Sequence, residues 1–519
     1  MRKYVAIALA LVFVLMYIPT DVAFAASDYD YVRVKLTTNN ATSLTVSVSG
    51  QYFIEENSKS FSDGTLTITS QDNGNVRVYH STLGVLYTGS SVSILRCYLD
   101  RTRGYLLLNS CYYLGHFTIT RTSNGYLQVV NTVPFAHYLY GVVSKEMSNS
   151  YPLEALKAQA IAAKGFAINK ILAGSSSGYD IGDTASDQVY AGYFPENTRI
   201  IEAVDATIDD VLMIGDRVLM TYFSASNGGE TNLPSYAWSS GSSNAGYSLQ
   251  LDPYDFAGSA SVLESVFVPT DGSPVSNGAL SALLLSKAAA ALEVELASLK
   301  CVSSISANTP KYPNTLHNMS LITATLIVTT ATGDGDSEGD ELTVEVSFPV
   351  SNLLSAGVFA NGSLRIYWGE ETDGGYTLYH GRWGHGVGLS QYGARQRALD
   401  NQTYAQILAF YYPGTTMGDL NISMPSDPVM PQPTATPIST PTPTQNPDDY
   451  VFIGEGVVNA NTLNFRTEPS TASEIIRVLS RGETVSIISR VGNWYYAFDY
   501  ETSRVGYLSA LYISFTPTP

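Results

Sequence analysis

Apolar and polar residues alternate through the first quarter of the chain. Leu44, Val46 and Val48 are separated by Thr and Ser, the period-two signature of a strand with one buried face. Asn73-Gly74 falls between Leu66-Thr67-Ile68-Thr69 and Val76-Arg77-Val78, and Asn124-Gly125 between Phe117-Thr118-Ile119 and Leu127-Gln128-Val129. Each placement predicts a β-hairpin, so residues 30–135 are expected to be β. The period changes at 151–173, where Leu153, Leu156, Ala160, Ala163 and Ala167 recur at three- and four-residue steps. That spacing predicts one helix with an alanine-rich stripe against which another element packs closely. Pro152 sits in its first turn, Glu154 near the positive end of its dipole, and Gly174 stops it. Between the two regions, YLYGVVSKEM (138–147) reads as a mostly apolar strand.

Farther along, residues 183–250 mix short strands and turns. A second helix, rich in Ala and Leu, is predicted from Gly278 to about Leu299. Leu321–Thr330 and Leu342–Phe348 read as strands on either side of an acidic, solvated turn over 333–341. From Met424 to Asn446 the chain is mostly Pro, Thr, Ser and Gln, a linker with polyproline II bias at ~3 Å per residue. β character resumes over 450–515 as a separate small domain. The expected class is therefore α+β: a mixed, β-rich body with an Ala-rich helix beside the cleft, and a small all-β module at the C-terminus.

The N-terminus adds a compartment. Arg2 and Lys3 precede an uncharged apolar run from Val5 to Ile18, and Ala23-Phe24-Ala25 offers small residues for a signal peptidase. Residues 1–25 are expected to be a cleaved secretion signal. An uncleaved membrane anchor is the alternative, although the run is shorter than the ~20 residues of a bilayer span. At 519 residues the chain has room for two or three domains. Cys97, Cys111 and Cys301 are too few for a disulfide scaffold; Cys97 and Cys111 either pair outside the cell or stand as buried thiols. A net charge of −18 excludes the basic footprint that nucleic acid needs. It also excludes attraction to anionic wall polymers as the basis of binding.

Candidate chemistry is sparse. The chain contains no HExxH and no phosphate-binding loop, and Cys301 lacks the local context of a cysteine peptidase. Carboxylates remain. Glu146 closes the apolar run before the Ala-rich helix, where partial burial would raise its pKa and fit it for general acid work. A surface glutamate paired with Lys145 is the competing reading. HGRWGHGVGLSQYGA (380–394) places His380, His385 and Arg382 among glycines 381, 384, 386, 388 and 393. Such density serves either close approach of backbone to a ligand or tight turns in a core.

Six strings now become informative together: YLYGVVSKEM, YPLEALKAQAIAAKGFA (151–167), DTASDQVYAG (183–192), SASNGGET (224–231), GHGVGLSQYGA (384–394) and ILAFYYPGT (407–415). In identity and order they resemble the stage II sporulation protein D family, whose wider group includes proteins named for amidase enhancement. The resemblance covers roughly residues 100–415. It implies a catalytic domain over 101–417, after an N-terminal β-rich region (26–100) that it does not cover. It also implies a lytic transglycosylase that cleaves peptidoglycan glycan strands, leaving a 1,6-anhydro end, with Glu146 as the catalytic carboxyl group. Gln188, Tyr190, Ser226, Asn227, His385, Gln391 and Tyr392 are implied as substrate-binding residues. Some family members hold a metal through Cys and His ahead of the Gln-Val-Tyr string. Here Ile181, Ser186 and Asp187 occupy that stretch, with no Cys or His between 170 and 200, so neither metal nor other cofactor is expected. Lys164-Gly165-Phe166 replaces the family's common Arg-Thr-Tyr, and a Gly inside a helix costs ~1 kcal/mol.

Beyond the linker (418–449), residues 450–519 resemble a bacterial SH3 domain through TLNFRTEPS (462–470), the turn at Val478–Gly482, NWYYA (493–497) and VGYLSALYI (505–513). That likeness implies a wall-peptide binder with Trp494 and Tyr507 on its face, and a secreted, wall-located protein. Two other function classes stay open: a non-catalytic modulator of an amidase, and a hydrolase using Asp183 or Asp187 as a second carboxylate.

Overall fold

Ser43–Ser49 buries Leu44, Val46 and Val48 and turns Thr45 and Ser47 outward, as their alternation predicts. In the computed structural model, which describes residues 29–99, 101–174, 177–238, 242–258, 262–331, 338–420, 422, 447, 450–471 and 473–518, both expected hairpins form. Gly64–Ser70 pairs antiparallel with Val76–His80, and His116–Arg121 with Leu127–Pro134. The expected signal segment 1–25, most of the linker and residues 333–337 of the acidic turn lie outside the described residues. The strands flanking that turn, Met319–Ala331 and Glu338–Pro349, do pair.

The β region makes a seven-stranded and a six-stranded sheet. Strands before and after residue 100 share the first: Phe117 pairs with Ile94, and Tyr31–Leu36 lies between Leu127–Pro134 and Ile181–Gly182. The N-terminal β region is thus continuous with the body, and one hydrophobic core runs from Val32 to Ile422.

Among the described residues the helices of eight residues or more are α1 (Phe135–Glu146), α2 (Leu153–Ala173), α3 (Thr198–Asp205), α4 (Gly278–Leu292), α5 (Gln391–Leu399) and α6 (Tyr404–Tyr411). Two expectations change here. Residues 138–146 belong to helix α1 and not to a strand. A short apolar run carries no period that distinguishes the two, and Phe135 to Val143 are all buried. The second helix ends at Leu292, because Leu296–Leu299 opens the strand Leu296–Pro310. Residues 183–250 also include a helix, α3, among their short strands.

Helix α2 is the centre of the body. It begins after Pro152 and ends at Gly174 (φ 64°). Its buried surface is wider than a stripe, since nearly every residue from Ala155 to Ile168 is buried. A helix apolar on all sides belongs in a core, and α1, α3, α5 and α6 all touch it. Gly165 permits one such approach: a Cβ there would lie 2.4 Å from Thr221 Oγ1 and 2.9 Å from the Leu219 carbonyl. Lys164, fully buried, donates to the carbonyls of Thr207, Ile208 (2.6 Å) and Asp210 (2.7 Å). Burial pushes its ammonium down to about 7.

Residues 264–383 build a second core, around Leu280, Leu284, Val302, Leu326, Phe348 and Trp368. Its strand Gly375–Trp383 pairs with Glu264–Pro269 and Leu364–Thr372 and leads the chain back to the first core. There Leu389–Ser390 pairs in parallel with Phe223–Ser224.

The chain divides into two units, Met1–Pro431 and Gln432–Pro519. The second is an antiparallel seven-stranded sheet around Val458, Phe465, Leu479, Ile487, Ala497 and Leu508. The class is α+β with a C-terminal all-β module, as the periodicities predict. Among the described residues no helix is long and apolar enough to cross a membrane.

Candidate active site

Helix α1 ends on Glu146, whose side chain is half-buried. Gln391, the first residue of α5, donates from Nε2 to Glu146 Oε2 at 3.0 Å, and the same nitrogen lies 3.4 Å from Gln159 Oε1 of α2. Burial pushes the Glu146 carboxyl above its usual range, against the opposing pull of Gln391 and the backbone of Val189. The negative end of the α1 dipole acts in the same direction as burial. Lys145 is exposed and contributes nothing to this shift. Three segments remote in sequence thus meet at one carboxyl group.

The start of α5 is held by a second carboxylate. Ser390 caps the helix, accepting from the Gly393 N–H at 3.1 Å, while its hydroxyl donates to Asp255 Oδ1. Asp255 also receives the Ser226 hydroxyl (2.5 Å), the Asn227 N–H (3.0 Å) and the Gly228 N–H (2.9 Å). Burial raises its pKa against those hydrogen bonds. Asp252, fully buried, accepts from Asn227 Nδ2 (2.8 Å), Tyr411 (2.6 Å) and Arg397 Nη2 (2.7 Å). The SASNGGET, SQYGA and FYYPGT strings are therefore tied together by two buried aspartates that no motif contains. Locally, Asp252-Pro253-Tyr254-Asp255 resembles any acidic turn; only the partners, all distant in sequence, distinguish it.

The candidate substrate residues divide. Gln391 meets Glu146, and Tyr392 is half-buried, beside Tyr151. Ser226 and Asn227 are buried with their polar atoms engaged by Asp255, Asp252 and the Gly228 and Gly229 N–H groups. Gln188 accepts from the Tyr138 hydroxyl (2.8 Å) and donates to the Ala163 carbonyl (3.2 Å), bridging α1 and α2. Tyr190 donates to Asn131 at 2.9 Å and is buried. The side-chain polar groups of these four are engaged by protein. His385 makes its contacts with Trp238, Tyr222 and the backbone of Phe223, and burial pushes its imidazole down to about 4. His380 belongs to the second core, stacked on Tyr367 and 3.3 Å from Glu264.

Among the described residues no three His, Cys, Asp or Glu side chains group to hold a metal ion, and all three cysteines are free. Ile181 is buried and Asp187 forms an ion pair with Lys170 at 2.5 Å, so the stretch ahead of Gln188 offers no metal-ligand set. In the C-terminal module Trp494, Tyr496 and Tyr507 lie half-buried on the face opposite Tyr495, Ala497 and Leu508, with the Tyr496 and Tyr507 rings 4.8 Å apart.

Two stretches of the chain match known families: residues 123–214 match the stage II sporulation protein family, and residues 461–514 the bacterial SH3 domain. The first match contains Glu146, all of α2, Gln188 and Tyr190. Among individual proteins, the chain is 32% identical over 302 residues to the amidase enhancer of Bacillus subtilis, covering 54% of this chain and 40% of that protein. It is 30% identical over 210 residues to an uncharacterised protein of Brachyspira hyodysenteriae, covering 40% and 55%. Stage II sporulation protein D of Bacillus subtilis is 27% identical over 317 residues, covering 58% and 78%. The chain thus spans about half the length of the first two relatives.

Proposed function

We propose that this chain is a wall-located enzyme that cleaves peptidoglycan glycan strands as a lytic transglycosylase, with Glu146 serving in turn as acid and base. The observation that carries the reading is the environment of Glu146: half-buried, raised in pKa by desolvation, and gripped by Gln391. A carboxyl group whose pKa is raised holds its proton to higher pH and can donate it to a leaving oxygen. In the proposed reaction, Glu146 protonates the glycosidic oxygen as the bond from C1 of N-acetylmuramic acid breaks. The same sugar's C6 hydroxyl then attacks C1, returning its proton to the Glu146 carboxylate and closing the 1,6-anhydro ring. No water is consumed, so one carboxyl group suffices where ordinary glycosidases use two.

The carboxylates a hydrolase would need are otherwise occupied. Asp183 accepts from the Thr37 N–H (2.7 Å) and hydroxyl (2.6 Å), and Asp187 from the Gly182 N–H (2.9 Å) while paired with Lys170. The family match and the amidase enhancer relative support a role at the cell wall. That relative's name also supports the second reading, a chain that assists an amidase without cutting glycan. The SH3 domain would hold wall peptide on the face bearing Trp494 and Tyr507.

End-group analysis of digested strands separates the readings: anhydro ends support the transglycosylase, free reducing ends a hydrolase, and uncut strands the modulator. Glu146→Gln is expected to lower cleavage by about 10²–10⁴-fold with the melting temperature and wall binding unchanged. Full activity in that variant would remove Glu146 from the chemistry.

A further inference from the structure

A cavity of about 460 Å³ is lined by Asn232, Tyr236 and His385 and, from the 264–383 region, by Lys311, Tyr312 and Arg365. Arg382 lines it too, at the end of the strand that joins the two cores. The charges in this lining are all positive. Lys311, Arg365 and Arg382 line it and no Asp or Glu does, in a chain of net charge −18. Lys311 and Arg365 form no salt bridge among the described residues.

Arg382 is 3% exposed and its backbone is left-handed (φ 68°), a conformation that persists in a non-glycine residue only where its surroundings enforce it. Gly386 is part of that enforcement, since a Cβ there would lie 2.6 Å from Arg382 Nε. The guanidinium donates from Nε to the Asn227 carbonyl and from Nη2 to the Glu230 carbonyl, each at 2.9 Å. Its Nη1 has no protein acceptor. The carboxylates whose fields reach it are Glu230 and Asp255, and neither accepts a hydrogen bond from it. Glu230 accepts from the N–H groups of Leu316 and His317, and Asp255 holds the Ser226 and Ser390 network described above. Their fields favour the cation, yet burial still pushes the guanidinium down to about 10.

Beside it is an unmet acceptor. Asn232 donates from Nδ2 to the His385 carbonyl at 2.9 Å, which fixes the amide's orientation, and its Oδ1 is buried without a partner. Tyr236 and Tyr312, stacked at 4.6 Å, form an aromatic wall. The cavity therefore offers cationic donors for an anion and one acceptor for a neutral N–H.

We propose that this cavity is a binding site for a carboxylate carried next to an N-acyl group, with Arg382, Arg365 and Lys311 taking the carboxylate and Asn232 Oδ1 taking the amide N–H. Resting on the wall-directed reading above, it assigns this side of the molecule to an acidic part of the wall polymer. Two parts of that polymer carry the chemistry: an acidic N-acetylated sugar and the amino acids of the stem peptide.

The test is calorimetric titration of the full chain carrying Glu146→Gln, so that no cleavage interferes, with three probes. N-acetylmuramic acid represents the sugar source, N-acetyl-D-glutamate the peptide source, and N-acetylglucosamine is the control with the amide but no added carboxylate. At least one carboxylated probe should bind, more weakly as salt rises, and the control should bind at least about tenfold more weakly, the worth of one charge-assisted hydrogen bond. The double variant Lys311→Gln with Arg365→Gln, both at the cavity rim, should weaken the carboxylated probe by a similar factor without lowering the melting temperature. Binding of neither carboxylated probe at millimolar concentration, equal binding of the control, or an unaffected double variant would each overturn the site. Cleavage by the parent chain is scored separately, so failure of this site is distinguishable from failure of the transglycosylase reading.

Discussion

At the scale of residues, the site turns on how one carboxyl group holds its proton. Desolvation raises the Glu146 pKa and the Gln391 donor opposes it, because a hydrogen bond to the charged form favours that form. Removing the donor must therefore raise the pKa further. In the proposed reaction the acid has to be protonated at the start, so activity is expected to fall as pH rises through its pKa. Gln391→Ala is expected to move that alkaline limb upward by about one pH unit, the equivalent of one hydrogen bond to a charged group. The pH profile of kcat/KM on soluble glycan strands reads it directly. A limb that stays in place, or moves to lower pH, would mean that Gln391 does not contact the carboxylate during turnover.

Elements set the precision of that contact. Glu146 and Gln391 sit at the ends of α1 and α5, and both helices touch α2. Small residues let the partners of α2 approach, most closely at Gly165. Gly165→Ala would gain ~1 kcal/mol of helix propensity on an isolated helix. In this fold its methyl group meets Thr221 Oγ1 at 2.4 Å and the Leu219 carbonyl at 2.9 Å, and overpacking against backbone costs ~1–3 kcal/mol. A net loss is expected, seen as a lower melting temperature, with a further loss of activity if α2 shifts relative to α1. A higher melting temperature in this variant would count against the tight packing described.

For the molecule as a whole, two units with separate cores follow one another through a Pro/Thr-rich segment. On the proposed reading, the SH3 domain would raise the local concentration of substrate at the wall. Removing residues 450–519 is expected to weaken sedimentation with intact wall by at least about tenfold, while cleavage of soluble strands and the melting of the body stay unchanged. A truncated chain that melts much earlier, or loses activity equally on wall and on soluble strands, would show that the module instead supports the body.

What the sequence determined by itself was whatever depends on near neighbours. Strand alternation at Leu44–Val48, the two Asn-Gly hairpins, the span of α2 between Pro152 and Gly174, and the all-β C-terminus follow from spacing of three or four residues and from turn chemistry. Glu146 was legible as well, because it closes a recognisable string. Tertiary structure alone decided that YLYGVVSKEM is helical, since a run buried on every side has no period to read. It decided that Gln188, Tyr190, Ser226 and Asn227 spend their polar atoms on protein, and that His385 lines a cavity that Gln391, six residues away in the same string, does not line. The anchoring role of Asp252 and Asp255 was equally hidden. A buried carboxylate is defined by the donors that satisfy it, and theirs come from residues up to 159 positions away.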